Sequence, residues 1–193
     1  MITATVGTRV PRRNSAVMRA FGRLVLALMR FEAAGAVPDE AKLVVIVAPH
    51  TSNWDFVVGM GTMFALDLKL NFLAKHTLFR APIGAIFRWM GGIPVDRASS
   101  HGVVGEAVQA FAASERLMLA IAPEGTRRRV EHFKSGFLHI ARGADVPLLL
   151  AAFDWKARCV RLGPPFELTD DLAADLARIE AFYAPIRGCR DRR

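Results

Sequence analysis

Two short clusters hold the side chains best suited to chemistry. In His50-Thr51-Ser52-Asn53-Trp54-Asp55 an imidazole and a carboxylate stand five positions apart, which is about 140° around an ideal helix. They meet only if a strand-to-helix turn folds them together. Asp55 would then accept from one ring nitrogen and fix the tautomer, leaving the other nitrogen basic enough to take a proton from a hydroxyl. A histidine closing a buried strand and an aspartate opening a helix give the same residues, so spacing alone leaves both readings open.

The second cluster, Glu124-Gly125-Thr126-Arg127, follows an apolar run. It places a glycine, a hydroxyl and a guanidinium where an anion is held bidentately, and phosphate fits that donor set. Arg128 and Arg129 extend it, and Arg97 follows another short apolar run. Taken singly, each of these is also an ordinary solvated charge.

These clusters need strands that end beneath them. The run 43–48 is β-branched and apolar throughout, as in a strand buried on both faces, and it stops at Pro49-His50. Thr51 or Ser52 then caps a helix through 56–66. Strands are expected at 71–75, 93–96, 117–122, 146–153 and 158–162, and helices at 102–116, 133–142 and 170–183. Residues 35–40 read as a break, and Gly163-Pro164-Pro165 as a turn. The alternation predicts one α/β domain, a mostly buried central sheet flanked by helices, with ligands gathering beyond the carboxyl ends of its strands.

The chain has 193 residues, 52% of them apolar, with 26 Lys and Arg against 18 Asp and Glu. That composition excludes disordered and fibrous classes. The longest uncharged stretch, 43–54, is twelve residues, short of the roughly 20 a membrane-spanning helix requires. Arg19, Arg23 and Arg30 interrupt what would be a signal-peptide core, so a cytoplasmic location is expected. Cys159 and Cys189 suit neither a disulfide framework nor a metal site.

Residues 1–31 hold six arginines and no acid. Over Ser15 to Phe31 the pattern is helical: Arg12, Arg19, Arg23 and Arg30 fall at spacings of 7, 4 and 7, with Val17, Phe21, Leu24 and Leu28 on the opposite side, giving a basic amphipathic helix. It suits either an anionic bilayer surface or packing on its own domain. A second basic and apolar stretch, 68–95, adds to a lipid-facing surface. No zinc spacing or nucleic-acid motif accompanies the charge. Three segments follow: 1–34 as the interface helix region, 35–186 as the catalytic domain, and 187–193 as a basic tail.

In order, His50, Ser52 and Asp55, then Gly91-Gly92-Ile93-Pro94-Val95-Asp96-Arg97, then Pro123-Glu124-Gly125-Thr126-Arg127 resemble the blocks of the glycerolipid acyltransferase family, the lysophospholipid and lysophosphatidate acyltransferases. The similarity spans about residues 43–151. It implies His50 as general base, Asp55 as its orienting partner, and Arg97, Glu124, Gly125, Thr126 and Arg127 as the acceptor-phosphate site. It also implies acyl-CoA or acyl-ACP as the donor co-substrate, with no other cofactor and no metal. Pro49, Trp54, Pro94, Arg128 and Ala151 depart from the usual pattern, and acceptor identity is what these departures bear on. The expected reaction is acylation of a lysophospholipid, lysophosphatidate giving phosphatidate, on the inner face of the cell membrane. Another lyso-lipid, a non-glycerol acceptor, a thioesterase and a non-catalytic lipid-binding module are the alternatives.

Overall fold

The strand Lys42–Ala48 (β3) is apolar on both faces because both are covered: Val44, Ile46 and Ala48 point into one core, Leu43 and Val45 into another. The computed structural model describes residues 2–80, 82–95, 102–125 and 130–190. Around β3 it arranges Thr5–Val6 (β1), Glu32–Val37 (β2), Leu70–Lys75 (β4), Gly92–Val95 (β5), Leu117–Ile121 (β6), Leu148–Asp154 (β7) and Cys159–Phe166 (β8). They form one eight-stranded sheet in the order β1-β2-β8-β7-β3-β6-β4-β5. All neighbours are parallel except β7 and β8.

Helices Gly102–Ala112 (α4), Gly136–Ala144 (α5) and Leu172–Tyr183 (α6) cover one face through Phe111, Phe137 and Ile179. Asn53–Ala65 (α2) covers the other through Met63 and Phe64, and Ala16–Met29 (α1) lies on α2. A short helix, Ile83–Trp89 (α3), joins β4 to β5. The expected α/β layer fold is present. Among the described residues no helix is long and apolar enough to cross a membrane, and both cysteines are free.

Three local expectations are corrected. The break expected over 35–40 begins only after Val37, where β2 ends, and reaches to β3 at Lys42; Gly35 itself lies in β2 and adopts φ +105° where Leu162 O lies 2.0 Å from the position a Cβ would take. The glycine there marks a close approach between paired strands rather than a stop. Gly163-Pro164-Pro165 is not a turn but part of β8, seated at a register shift opposite Leu149–Ala151, where the ladder can lose N–H groups. The fifth helix begins at Gly136 rather than Phe133; the helix over 83–89 lies in a stretch for which no element was expected.

The basic N-terminal helix packs on its own domain along one side and leaves an apolar stripe exposed on the other. Ser15 Oγ accepts the Met18 N–H to start α1, and Gly22 and Leu26 are buried against α2. Its other side leaves Val17, Phe21, Leu24 and Leu28 between 50% and 75% exposed. The helices touch at Gly22, where a Cβ would stand 2.3 Å from Ala65 N and 2.6 Å from Gly61 O. Gly22→Val is therefore expected to force α1 off α2 and cost about 1–3 kcal/mol. Thermal unfolding measures it, and an unchanged Tm would contradict this contact.

Candidate active site

The strand-to-helix turn after β3 brings the first cluster together. Ser52 caps α2 with its hydroxyl on the Trp54 N–H, and Asp55 closes a capping box by accepting the Ser52 N–H at 2.6 Å. The same oxygen, Oδ2, accepts the Thr51 N–H at 2.6 Å. His50 precedes the helix, so the helical angle does not separate the pair: Nδ1 lies 3.7 Å from Asp55 Oδ2. That is Coulomb contact, longer than a hydrogen bond, and acid–base pairs are often this long before a substrate is held. The imidazole is partly exposed and Asp55 fully buried, which leaves the base accessible and its partner fixed.

The other carboxylate oxygen of Asp55 is held by a residue outside both sequence clusters. Trp155, just past β7, donates from Nε1 to Oδ1 at 2.6 Å. Its indole meets Phe31 edge-on at 4.8 Å, and the Arg158 guanidinium lies 5.4 Å from its ring centre. The signal available was positional, a polar-tipped ring at the carboxyl end of a buried strand parallel to β3.

Burial pushes the Asp55 carboxyl above the ordinary carboxylate range, against the N–H donors of Ser52, Trp155 and Thr51, which pull it down. Trp155→Phe removes one donor that favours the ionised form, so the carboxyl should move higher still. The acid limb of the pH–rate profile is then expected to shift to higher pH, with activity partly restored on the alkaline side. A uniform loss at every pH would mean that Trp155 only supports the fold.

Glu124, buried at the carboxyl end of β6, accepts the His50 backbone N–H on both oxygens at 2.9 Å. It thereby ties the second cluster to the first. Gly125 lies beside it, and Lys134 crosses that glycine: a Cβ at Gly125 would be 3.1 Å from Lys134 Nζ. Lys134 was missed because it sits in what read as a helix. Arg97, Thr126 and Arg127 lie outside the described residues. The strands leading to them, β5 and β6, run parallel to β3's direction and end on His50's side of the sheet.

From His50 and Asp55 a cavity of about 230 Å³ extends between α2 and the sheet as far as Leu68. Apart from the pair at its mouth and Thr62, its walls are apolar; Val47, Gly59, Met60, Phe72 and Ala151 are among them. Trp54 and Phe56 are exposed beside the pair in sequence. An oriented base at the mouth of an apolar cavity can take a hydroxyl proton beside a long hydrocarbon chain.

The α/β sheet carries a histidine–aspartate pair at the end of a central strand, and comparison with known proteins shows which family the chain falls in. The acyltransferase family profile matches residues 30–153, a span that contains His50, Asp55, Arg97 and the 124–127 cluster. The chain belongs to the acyltransferase family. Its fold is similar to the crystal structure of the 1-acyl-sn-glycerophosphate (LPA) acyltransferase PlsC from Thermotoga maritima, with a TM-score of 0.65 and 16% sequence identity over 91% of this chain and 80% of that one. No curated protein matches.

Proposed function

We propose that this acyltransferase moves a fatty acyl group from a thioester, acyl-CoA or acyl-ACP, to the free hydroxyl of a lysophospholipid, with lysophosphatidate giving phosphatidate as the leading case. The observation that carries this reading is the His50–Asp55 pair at the mouth of the apolar cavity.

The acyl chain occupies the cavity, which sets the thioester carbonyl beside His50. Asp55 orients the imidazole through Nδ1, and Nε2 takes the acceptor hydroxyl proton as the oxygen attacks the carbonyl carbon. The tetrahedral oxyanion collapses, the carbon–sulfur bond breaks, and the imidazolium returns its proton to the departing sulfur. Ester and thiol are the products, and no acyl group is carried on the protein. Positioning supplies much of the rate, since both substrates are held at one point.

The acceptor phosphate is assigned to Arg97, Gly125, Thr126 and Arg127, joined by Lys134. Glu124, itself an anion, belongs to this site by fixing the His50 backbone rather than by touching phosphate. The exposed apolar sides of α1 and α3, with Val17, Leu28, Ile83 and Ile86 uncovered among arginines, support a peripheral seat on the inner, anionic face of the cell membrane.

The test is a panel of acceptors offered with one long-chain acyl thioester. Lysophosphatidate should be acylated faster than its neutral-headgroup counterparts. Preference for a neutral acceptor would overturn the phosphate assignment, and thiol release with every acceptor left unacylated would make the protein a thioesterase.

A further inference from the structure

At the opposite end of the sheet from His50, a second pocket of about 490 Å³ opens between the start of α1 and the end of α3. Arg12, Arg13, Lys69 and Arg88 contribute to its wall, with Ser15 and Asn71, and no acid does. Arg12 spends its guanidinium on the carbonyls of Val6, Gly7 and Leu66. Arg13, Lys69 and Arg88 have no carboxylate partner among the described residues. The neighbouring carboxylate, Asp67, is committed to Arg19 at 3.2 Å and to the Ser15 N–H at 3.1 Å.

Arg13 is held in place before any ligand arrives. Its guanidinium lies 5.2 Å from the Phe64 ring centre and 5.5 Å from that of Trp89, and it donates to the carbonyls of Trp89 and Met90. Its Nε is buried and makes no hydrogen bond. The first turn of α1 contains no acid, so the positive end of that helix dipole adds to the same field. Around these cations the neighbouring side chains of Val17, Ile86 and Trp89 are 57–72% exposed and apolar. A phosphate compensates the charges, and acyl chains cover the apolar rim.

We propose that this pocket binds the phosphate headgroup of an anionic membrane phospholipid, at a site separate from the acceptor site. The assignment rests on the membrane-seated reading above. A headgroup held here fixes α1 and α3 against the bilayer and makes membrane association selective for anionic lipid.

The experiment compares vesicle binding of the wild type, a pocket double variant (Lys69→Gln with Arg88→Gln) and a control double variant (Arg23→Gln with Arg30→Gln). Vesicles are phosphatidylcholine with or without phosphatidylglycerol, and thermal melts confirm folding. Two surface charges near an anionic bilayer account for about thirtyfold in affinity. The pocket double should lose at least tenfold more than the control on phosphatidylglycerol vesicles. Equal losses would reduce the pocket to ordinary surface charge and overturn the site. If the pocket double does not fold, Lys69→Gln alone is compared with Arg23→Gln.

Calorimetry with dihexanoyl phosphatidylglycerol and with inorganic phosphate separates the possible sources. Lipid binding that is lost in the pocket variant, with phosphate inert, supports the proposal; phosphate binding as tightly as the lipid overturns the lipid assignment. Acyl transfer in neutral micelles, measured on the same proteins, should be equal in all three. Transfer that persists when the binding prediction fails leaves the proposed function standing, and selective binding without transfer leaves the pocket standing alone.

Discussion

His50→Ala is expected to lower acyl transfer by about 10²–10⁴-fold, the range a positioned general base contributes. The substitution keeps the backbone contact of the site, because the His50 backbone N–H donates to Glu124 and alanine retains that N–H. The side chain also lines the cavity and is partly exposed rather than packed in the core, so its removal costs little packing. Thermal stability and vesicle binding should therefore match the wild type while turnover falls. Steady-state kinetics with a soluble donor measures the loss, which should appear in kcat. Retention of most activity would remove His50 from the chemistry and with it the proposed mechanism.

Asp55→Asn should lose as much activity, and it should also unfold more easily. Asp55 presents one oxygen to the Thr51 and Ser52 N–H groups and the other to the Trp155 indole. An asparagine has a single acceptor oxygen, so in either orientation its NH₂ faces a donor. One buried N–H group or more is left unsatisfied, at about 1–3 kcal/mol each. The imidazole also loses the carboxylate that selects its tautomer, which in a comparable triad costs about 10⁴ in kcat. Normal stability with lost activity would mean that the turn tolerates an amide. Normal activity would show that His50 needs no orienting partner.

What the sequence revealed and what it hid follow one physical division. Signals that are local in the chain were readable: the apolar run 43–48 became β3, Ser52 is the cap, and Asp55 sits in the first turn of the helix that follows. The fold class followed from alternating strands and helices. Glycine and proline misled where tertiary pairing overrode their usual meaning, at Gly35 against Leu162 and at Pro164-Pro165 in the shifted β8 register. α3 was hidden because seven residues of mixed apolar and basic character give too short a periodic signal.

In the site, His50 and Asp55 were singled out by residue type after an apolar run, and the family resemblance, not their spacing, gave them roles. The contacts that fix them were not readable. Trp155 reaches Asp55 across 100 positions of chain, and Glu124 reaches His50 across 74. Only parallel pairing of β3 with β6 and β7 brings those strand ends together. Glu124 was singled out by its motif, but its observed contact is with the His50 backbone.

The most direct test of the central claim follows thiol release and lipid product together. Purified wild type and His50→Ala receive a long-chain acyl thioester and lysophosphatidate in anionic vesicles. One phosphatidate formed for each thiol released by the wild type, and neither above background for His50→Ala, is the predicted result. Phosphatidate formed equally well by His50→Ala, or thiol released by the wild type without phosphatidate, would contradict it.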